Sequence, residues 1–427
     1  MMNTPHILDE LHWRGLVQQC TDETMLREFL STSRTVYAGF DPTAPSLHCG
    51  SLLPLMMLRR FQRAGHTPIA LVGGATGMIG DPSGKSQERV LLSPDLLQEN
   101  VLGMQAQMSS VLDFDGKFAA RLVNNFDWMQ NWSYINFLRD VGKNFPVNVM
   151  LAKDSVKNRL QRDDSGLSYT EFSYMLLQAY DFAHLSEQYD CRLQIGGSDQ
   201  WGNITAGIDL ARRMHSKQLF GLTCPLLLTS DGRKMGKTES GAVWLDPART
   251  SPYAFYQYWV NVGDADVIMC LRFLTELDEE EIQSLELAVA DEPHKREAQK
   301  RLASWLTQFL HGDAGLNAAL KATEILFGAE IEGVSDLQLG EIFHDVPSGT
   351  ISSEQLSSGM PLVDALVTVA LAKSKTEARR TIEQGGGYVN NRRINDAAYT
   401  LSRQDLVSES IVVLRSGRKK FALLRVT

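Results

Sequence analysis

Four cations in this sequence stand where they could act on phosphate groups. Lys234 and Lys237 lie in a stretch of glycine and small polar residues from Ser230 to Gly241, and Lys85 and Arg89 lie in a second stretch that also lacks apolar anchors. Cations on such loops can approach a polyphosphate and stabilise the charge that builds on it during reaction. Both stretches therefore predict phosphate chemistry, although a solvated surface turn or hairpin would have a similar composition.

A strand, a loop and a helix predict a nucleotide site near the N-terminus. Residues 35 to 37 have the β-branched and aromatic composition of a buried strand, residues 39 to 45 interrupt it, and residues 52 to 63 show helical apolar spacing. Pro54 fits the first turn of that helix, where its missing N–H is not needed, and free amides near Gly50 would attract phosphate.

Two common phosphate motifs do not fit the glycine-rich stretch that follows the second predicted strand, residues 68 to 72. A P-loop needs a glycine separated by four residues from Gly84, but that position is Ile79. The glycines at 73, 74, 77 and 80 also never give the G-x-G-x-x-G spacing of a dinucleotide-binding turn. Both alternatives therefore lose support.

A polar stripe and a strand end predict further contacts to a ligand. Tyr174, Gln178 and Asp181 are spaced i, i+4 and i+7, which places a phenol, an amide and a carboxylate on one helix face. A solvated face is the alternative, but it would more commonly carry lysine and glutamate. After the predicted strand at 191 to 195, Gly197 would let a base or ribose approach the backbone, and Asp199 could accept from ribose hydroxyls.

These segments together resemble a known family. His48-Cys49-Gly50-Ser51, the Gly-Gly-Ser-Asp-Gln strand end and Lys234-Met235-Gly236-Lys237-Thr238 are similar, in order and separation, to the motifs of class I aminoacyl-tRNA synthetases, and specifically of bacterial tyrosyl-tRNA synthetases. The resemblance covers nearly the whole chain. It implies an α/β fold with a Rossmann-like parallel-sheet catalytic domain, then an α-helical domain and a small α+β RNA-binding domain.

The resemblance also implies an activity and its partners. An enzyme of this family activates L-tyrosine with ATP to tyrosyl-adenylate and pyrophosphate, and then transfers the tyrosine to the 3′-terminal adenosine of tRNA(Tyr). Its implied cofactor is Mg²⁺ with ATP as substrate, without a tightly bound cofactor or a metal held by the protein. It is implied to work as a homodimer without contact to a membrane.

Each candidate site residue receives its role from that resemblance. The residues implied to surround tyrosine are Tyr37, Asp81, Tyr174, Gln178, Asp181 and Gln194. Those implied to bind ATP are Gly39, Asp41, His48, Ser51, Gly197, Asp199, Gln200 and Lys237. Those implied to act on the leaving pyrophosphate are Thr43, His48, Lys85, Arg89, Lys234 and Lys237.

The sequence departs from the family pattern at one signature histidine, and Met235-Gly236 and Thr238 also depart from the Lys-Met-Ser-Lys-Ser pattern, although both lysines remain. The class I motif is His-Ile-Gly-His, whereas this chain has Ser51 at the place of the second histidine. Ser51 could bind through water, or it could simply begin a helix. Two rival functions stay open at this point: the tryptophan enzyme, which shares the fold and the loops, and a non-catalytic RNA-binding relative, for which Ser51 is the only support.

Charge and composition complete the predicted domain organisation. We expect the catalytic domain at 1–228 with a dimer-interface insertion near 125–160, a mobile lysine loop at 229–245, an α-helical anticodon-arm domain at 246–329, a linker at 330–360 and an αL-type RNA-binding domain at 361–427. Residues 361 to 427 contain 12 of the 42 basic but only 6 of the 51 acidic residues, which favours contact with a polyanion.

The sequence also indicates the cellular compartment and contains one apolar helical face with two interpretations. The five cysteines lack C-x-x-C spacing, and no apolar run approaches the length of a membrane helix, so we expect a cytoplasmic protein. An apolar helical face at 134 to 156 includes Ile135, Val141, Val149 and Met150. Packing within the monomer is the default interpretation of that face, and a dimer surface is the alternative.

Overall fold

The computed structural model describes residues 6–81, 93–153, 156–157, 160, 167–238, 241–343, 346–417 and 420–427. The chain forms two compact units, one of Met1–Thr250 with Tyr258–Leu310 and one of Ser251–Gln257 with His311–Thr427. Lys85 and Arg89 lie outside the described residues.

The first unit contains a six-stranded sheet. Its strands, in chain order, are β1 (Gln19–Cys20), β2 (Thr35–Phe40), β3 (Thr67–Val72), β4 (Arg121–Asn124), β5 (Cys191–Gly197) and β6 (Phe220–Cys224). Their order across the sheet is β1-β6-β5-β2-β3-β4. Strands β2 to β6 pair in parallel, and β1 pairs antiparallel with β6. This confirms the predicted parallel sheet, in which the carboxyl ends of β2 and β5 are neighbours.

Helices cover this sheet, and the described helices of the first unit include Ile7–Arg14, Glu23–Phe29, Cys49–Arg63, Thr76–Ile79, Pro94–Val111, Phe126–Met129, Tyr134–Asp140, Val147–Leu151, Tyr169–Gln188, Trp201–His215, Asp264–Leu274 and Glu279–Asp291. The predicted polar stripe lies on the Tyr169–Gln188 helix, whose start is fixed because the Ser168 side chain accepts from the Glu171 amide at 3.2 Å. Its apolar residues, such as Phe182 and Leu185, are buried in a cluster with Tyr37 of β2. That packing sets the stripe against the sheet.

The apolar face near residue 140 is only partly inside the monomer. Val141 and Met150 are buried as the default interpretation expected. Ile135 and Val149, however, are 69% and 46% exposed. The reason is that the segment breaks into two short helices, Tyr134–Asp140 and Val147–Leu151, joined by a 3-10 turn, so its side chains do not share one buried face.

The second unit is built on a five-stranded sheet. Its strands are β9 (Ser348–Ile351), β11 (Gly387–Val389), β12 (Arg392–Ile394), β14 (Ile411–Ser416) and β15 (Lys420–Val426), in the order β12-β11-β14-β15-β9. Two short pairs complete the strands: β7 (Lys237–Thr238) with β8 (Gly241–Ala242), which belongs to the first unit, and β10 (Met360–Pro361) with β13 (Thr400–Leu401). Further helices are Pro252–Val260, Glu297–Leu326 with a break at Gly312, Asp336–Ile342, Ser353–Ser357, Leu362–Thr368 and Lys375–Glu383.

The expected linker at 330–360 is wrong as a description of this segment. Strand β9 pairs in parallel with β15, and the Asp336–Ile342 helix precedes it. Ile331, Val334, Leu339 and Phe343 are buried together with residues of β14 and β15. The apolar residues are few and are separated by serine, glycine and acids, so composition hid a face that the sheet buries.

Candidate active site

A cavity of about 340 Å³ opens at the carboxyl ends of β2 and β5. The start of the Cys49–Arg63 helix, the Tyr169–Gln188 helix and the turn that carries Lys234 complete its wall. The candidate residues that line it are Tyr37, Gly39, Asp41, His48, Ser51, Asp81, Tyr174, Gln178, Asp181, Gln194, Gly197, Asp199, Gln200 and Lys234. The structure thus brings together residues that are up to about two hundred positions apart in sequence.

Asp181 is held as a hydrogen-bond acceptor at one end of the cavity. Its carboxylate is 2% exposed and accepts from Asn125 Nδ2 at 3.0 Å and from Trp128 Nε1 at 2.9 Å. Burial raises the pKa of this carboxyl to about 7, against the lowering effect of those two donors and with a smaller rise from Asp41. Asp181 therefore changes protonation state near neutral pH.

Asn125 and Trp128 are hydrogen-bond partners of Asp181 that sequence reasoning missed. They lie just after the carboxyl end of β4, beyond Asn124, where the rule that ligands bind at strand ends could have found Asn125. Nothing in the spacing of Trp128 indicates that its indole reaches Asp181. A third missed residue, Thr76, accepts from Asn125 Nδ2 at 3.0 Å and donates to Asp41 Oδ1 at 3.1 Å.

Hydrogen bonds join the residues predicted for tyrosine to those predicted for ATP. The Tyr174 hydroxyl donates to Asp41 Oδ2 at 3.1 Å. Gln178 Nε2 donates to Gln200 Oε1 at 3.2 Å, and Gln200 Nε2 donates to Asp81 Oδ2 at 2.7 Å. The two predicted sets are therefore linked by hydrogen bonds at Asp41 and at Gln200.

Three polar atoms in the cavity wall form no hydrogen bond within the part of the chain that the structure describes. The Tyr37 hydroxyl, Gln178 Oε1 and Gln194 Oε1 are buried and have no hydrogen-bond partner among the residues that the structure describes. Leaving a buried polar atom unpaired costs about 1–3 kcal/mol. A ligand that supplies donors and acceptors to these atoms would recover that free energy.

The other end of the cavity is open and charged. Gly39 is exposed, and a Cβ there would meet only Leu71 Cδ2 at 3.8 Å, so the backbone of β2 offers a flat surface. Asp199 lies among Asp81 and Lys234: burial first, and the negative charge of Asp81 next, raise the pKa of Asp199, while Lys234 lowers it. The cation of the glycine-rich turn and the predicted ribose acceptor therefore line the same cavity and interact electrostatically.

The helix that begins after His48 is fixed against the same turn. Its Cys49 amide donates to the Val243 carbonyl at 3.0 Å, and the Val243 amide donates to the Gly236 carbonyl at 2.8 Å. Gly236 has φ +82°, and a Cβ there would stand 2.9 Å from Cys49 Cβ. The lysine turn and the helix start therefore lie in direct contact. Because of this contact and the positive φ, only glycine fits at position 236 without displacement of its neighbours.

The remaining candidates are not all placed at the cavity. Thr43 is exposed and does not line it. Lys85, Arg89 and the side chain of Lys237 lie outside the part of the chain that the structure describes. Ser51 does line the cavity, in the first turn of the Cys49–Arg63 helix, where its amide donates to the His48 carbonyl at 2.8 Å.

The strand ends of the parallel sheet, the start of a helix and the cationic turn enclose one polar cavity. Such a cavity suits the activation of a carboxylate by a nucleotide. The family model of the class I tRNA synthetases for tryptophan and tyrosine matches residues 31–328. A second model, the C-terminal domain of SYY-like tyrosine–tRNA ligases, matches residues 338–424. The chain thus belongs to the class I tRNA synthetases and has their fold.

Known relatives narrow this class. A tyrosine–tRNA ligase of Rhodopirellula baltica is 60% identical over 99% of this chain and 97% of its own, and one of Staphylococcus carnosus is 48% identical over 99% of both. The solved structure of a C-terminally truncated Aspergillus nidulans mitochondrial tyrosyl-tRNA synthetase has a TM-score of 0.69 and 31% identity, and covers 76% of this chain and 95% of that one. The chain belongs to the tyrosine–tRNA ligase family, whose members are ATP-dependent aminoacyl-tRNA ligases. This confirms the predicted family over the tryptophan alternative.

Among the described residues, no helix is long and apolar enough to cross a membrane.

Proposed function

We propose that this chain activates L-tyrosine with ATP at the cavity and then esterifies tRNA(Tyr), with the residue roles given below. The observation that carries the proposal is the set of buried atoms, unpaired among the described residues, in the cavity that Asp181 also lines. A phenol that donates to Asp181 and accepts from the Tyr37 hydroxyl satisfies both groups. An α-ammonium group then finds acceptors at Gln178 Oε1 and Asp81.

The tyrosine end of the cavity holds the substrate by both its polar ends. Tyr37 and Asp181 bind the phenol, and Asp81, Tyr174 and Gln178 surround the ammonium group. Gln194, 3% exposed on β5, supplies an acceptor to the wall between them. Phenylalanine would leave the Tyr37 hydroxyl unpaired and would offer no donor to the Asp181 carboxylate, which disfavours its binding.

Adenylate formation needs positioning and charge stabilisation more than proton transfer. The tyrosine carboxylate attacks the α-phosphorus of ATP, and the bond to the pyrophosphate oxygen breaks. No general base is required, because the attacking carboxylate is already ionised. Gly39, Asp41, Gly197, Asp199 and Gln200 surround the adenosine.

The cations stabilise the negative charge that develops on the leaving pyrophosphate. In this proposal the pyrophosphate is held by Thr43, His48, Lys85, Arg89, Lys234 and Lys237. Ser51 contacts the nucleotide near the helix start. In the second reaction a terminal-adenosine hydroxyl of tRNA attacks the tyrosyl carbonyl, and AMP leaves.

Mg²⁺ belongs to this proposal as a companion of ATP. The described residues contain no group of three or more His, Cys, Asp or Glu side chains with metal-binding geometry. Mg²⁺ in nucleotide sites is held largely by phosphate oxygens and water, so such a cluster is not needed. The metal would supply positive charge to the phosphates.

We further propose a cytoplasmic homodimer. The support for the dimer is the apolar surface at residues 134 to 151, where Tyr134, Ile135 and Val147 are 63%, 69% and 59% exposed. Large apolar side chains with this much exposure within one short segment favour a protein interface there. The 246–329 region would receive the anticodon arm, and residues 361 to 427 would bind the tRNA backbone.

The proposed activity is tested by ATP–pyrophosphate exchange with each of the twenty amino acids. We expect exchange with tyrosine alone at physiological concentrations. Exchange that is equal with tryptophan, or absent with all twenty, would contradict the proposal.

Asp181→Asn should weaken the preference for tyrosine over phenylalanine. The amide lacks the charge that strengthens the bond to the phenol, so we expect kcat/KM for tyrosine to fall about 10- to 100-fold while that for phenylalanine changes little. Glu187→Gln is a matched control, because Glu187 lies on the same helix but pairs at the surface with Lys217 at 2.8 Å. An unchanged preference in Asp181→Asn would reject this role.

Tyrosine affinity should also depend on pH. Because the pKa of Asp181 is raised to about 7, the carboxyl is protonated below that pH in the free enzyme and loses its charge-assisted bond to the phenol. We therefore expect KM for tyrosine to rise as pH falls through 7, by up to about tenfold per unit. In Asp181→Asn this dependence should disappear, and its persistence there would assign it to another group.

Ser51→His should improve the use of ATP. The imidazole would stand one helical turn from His48, at the cavity wall, and supply a longer donor towards the ribose. We expect KM for ATP in pyrophosphate exchange to fall about fivefold, equivalent to one modest hydrogen bond, with KM for tyrosine unchanged. A clear loss of activity would show that the surrounding wall is fitted to serine.

A further inference from the structure

The turn that carries Lys234 is held by side chains that do not line the cavity. The Ser230 amide, before Lys234, donates to Asp266 Oδ1 at 2.7 Å. The Gly236 amide, after it, donates to the Tyr258 hydroxyl at 2.6 Å. Lys234 thus lies between two backbone hydrogen bonds whose acceptors belong to the helices Pro252–Val260 and Asp264–Leu274.

A third contact, between Met235 and Cys270, also holds the turn. Met235 is 4% exposed, and its Sδ lies 3.5 Å from Cys270 Sγ on the Asp264–Leu274 helix. The Met235 amide also donates to the Leu227 carbonyl at 3.0 Å. The residue next to Lys234 is therefore anchored, whereas Lys234 itself is exposed.

The position of the backbone around Lys234 limits where its exposed ammonium group can reach. Lys234 carries its charge on a flexible four-carbon stem, and the catalytic value of a cation depends on a fixed distance to the charge that develops. Asp266, which is 8% exposed, and the half-buried Tyr258 lie on two helices, which supply that fixed frame. Tyr258 belongs to an aromatic run, Tyr253 to Trp259, which composition alone assigns to core packing.

We propose that Tyr258 and Asp266 are positioning residues for adenylate formation, which hold the backbone on both sides of Lys234 and so fix its ammonium group at the phosphate end of the cavity. This inference rests on the proposed role of Lys234. It adds two residues outside the cavity to the parts that determine the rate of the first reaction.

Tyr258→Phe tests the proposal with the loss of one oxygen. We expect kcat of tyrosine-dependent pyrophosphate exchange to fall about 5- to 10-fold, the effect of one hydrogen bond, with KM for tyrosine unchanged. Tyr253→Phe is the matched control, because it removes a hydroxyl from the same helix five positions before Tyr258, and it should leave kcat unchanged. A Tyr258→Phe enzyme with normal kcat would overturn the proposal.

Asp266 gives a second, independent variant. Asp266→Ala removes the acceptor and should lower kcat about 10- to 100-fold, whereas Asp266→Asn keeps Oδ1 and should restore most of the rate. Thermal unfolding of each variant, followed by circular dichroism, separates this from a loss of fold. Equal rates for the alanine and asparagine variants would contradict the assignment of Asp266.

A double-mutant cycle shows whether Tyr258 acts through Lys234. In a Lys234→Ala background, Tyr258→Phe should have no further effect on kcat, because the group that it positions is gone. Independent, multiplying effects would overturn the proposal. If Lys234→Ala by itself left the rate unchanged, the proposed role of Lys234 would fail first and the positioning role with it, whereas a slow Lys234→Ala with a normal Tyr258→Phe would reject only the latter.

Discussion

Lys234→Ala is expected to slow tyrosyl-adenylate formation about 10²- to 10³-fold, the effect of removing one preorganised group that stabilises transition-state charge. Lys234 lines the cavity and acts electrostatically on Asp199 there. Because the pyrophosphate charge grows only as the reaction proceeds, tyrosine binding should change little. Single-turnover measurement of adenylate formation, beside equilibrium dialysis of tyrosine, separates these two quantities.

Arg233→Ala is the matched control for this variant. Arg233 is the preceding residue, is also a cation, and pairs with Asp231 at 2.7 Å without lining the cavity. We expect its rate to stay within about threefold of the wild type, since exposed ion pairs contribute little. Lys237→Ala should resemble Lys234→Ala if both lysines act on the pyrophosphate. Equal rates for Lys234→Ala and Arg233→Ala would show that the position of the charge is unimportant.

Removal of the C-terminal region is expected to separate the two reactions. The structure sets the place of the cut: a chain ended near Gly359 would keep β9 but lose its partner β15, so the chain should end after Gly328 instead. Such a chain keeps all the cavity residues and all of the class I family match. We expect near-normal pyrophosphate exchange and a fall in kcat/KM for tRNA of about 10² or more.

A full-length variant controls for the loss of structure in the truncated chain. Lys373, Arg379 and Arg380 are exposed near or on the Lys375–Glu383 helix, and their joint replacement by glutamine removes charge while the sheet remains. Each phosphate contact that disappears should lower the slope of log affinity against log salt by somewhat under one. Unchanged tRNA affinity and salt slope in both proteins would show that the basic excess is only a solvated surface.

The relationship between sequence and structure differs from one part of the site to the next. Tyr174, Gln178 and Asp181 could be placed on one face from sequence alone, because helical periodicity is a local property of the chain. The ends of β2 and β5 could be located within a few residues because the breaks in apolar composition are also local, and the order of the motifs was enough to indicate the family. The basic excess at the C-terminus is likewise a property of composition.

Only the tertiary structure decided which groups meet. Trp128 and Asp181 are 53 positions apart, and Tyr174 and Asp41 are 133 apart, so their hydrogen bonds depend on how the elements pack. The same holds for the Tyr258 hydroxyl at Gly236 and for β9 beside β15, which no local pattern distinguishes from core packing or from a linker. Periodicity indicates which side of a helix or strand is polar. Which other element packs against that side depends on the burial of apolar faces elsewhere in the chain.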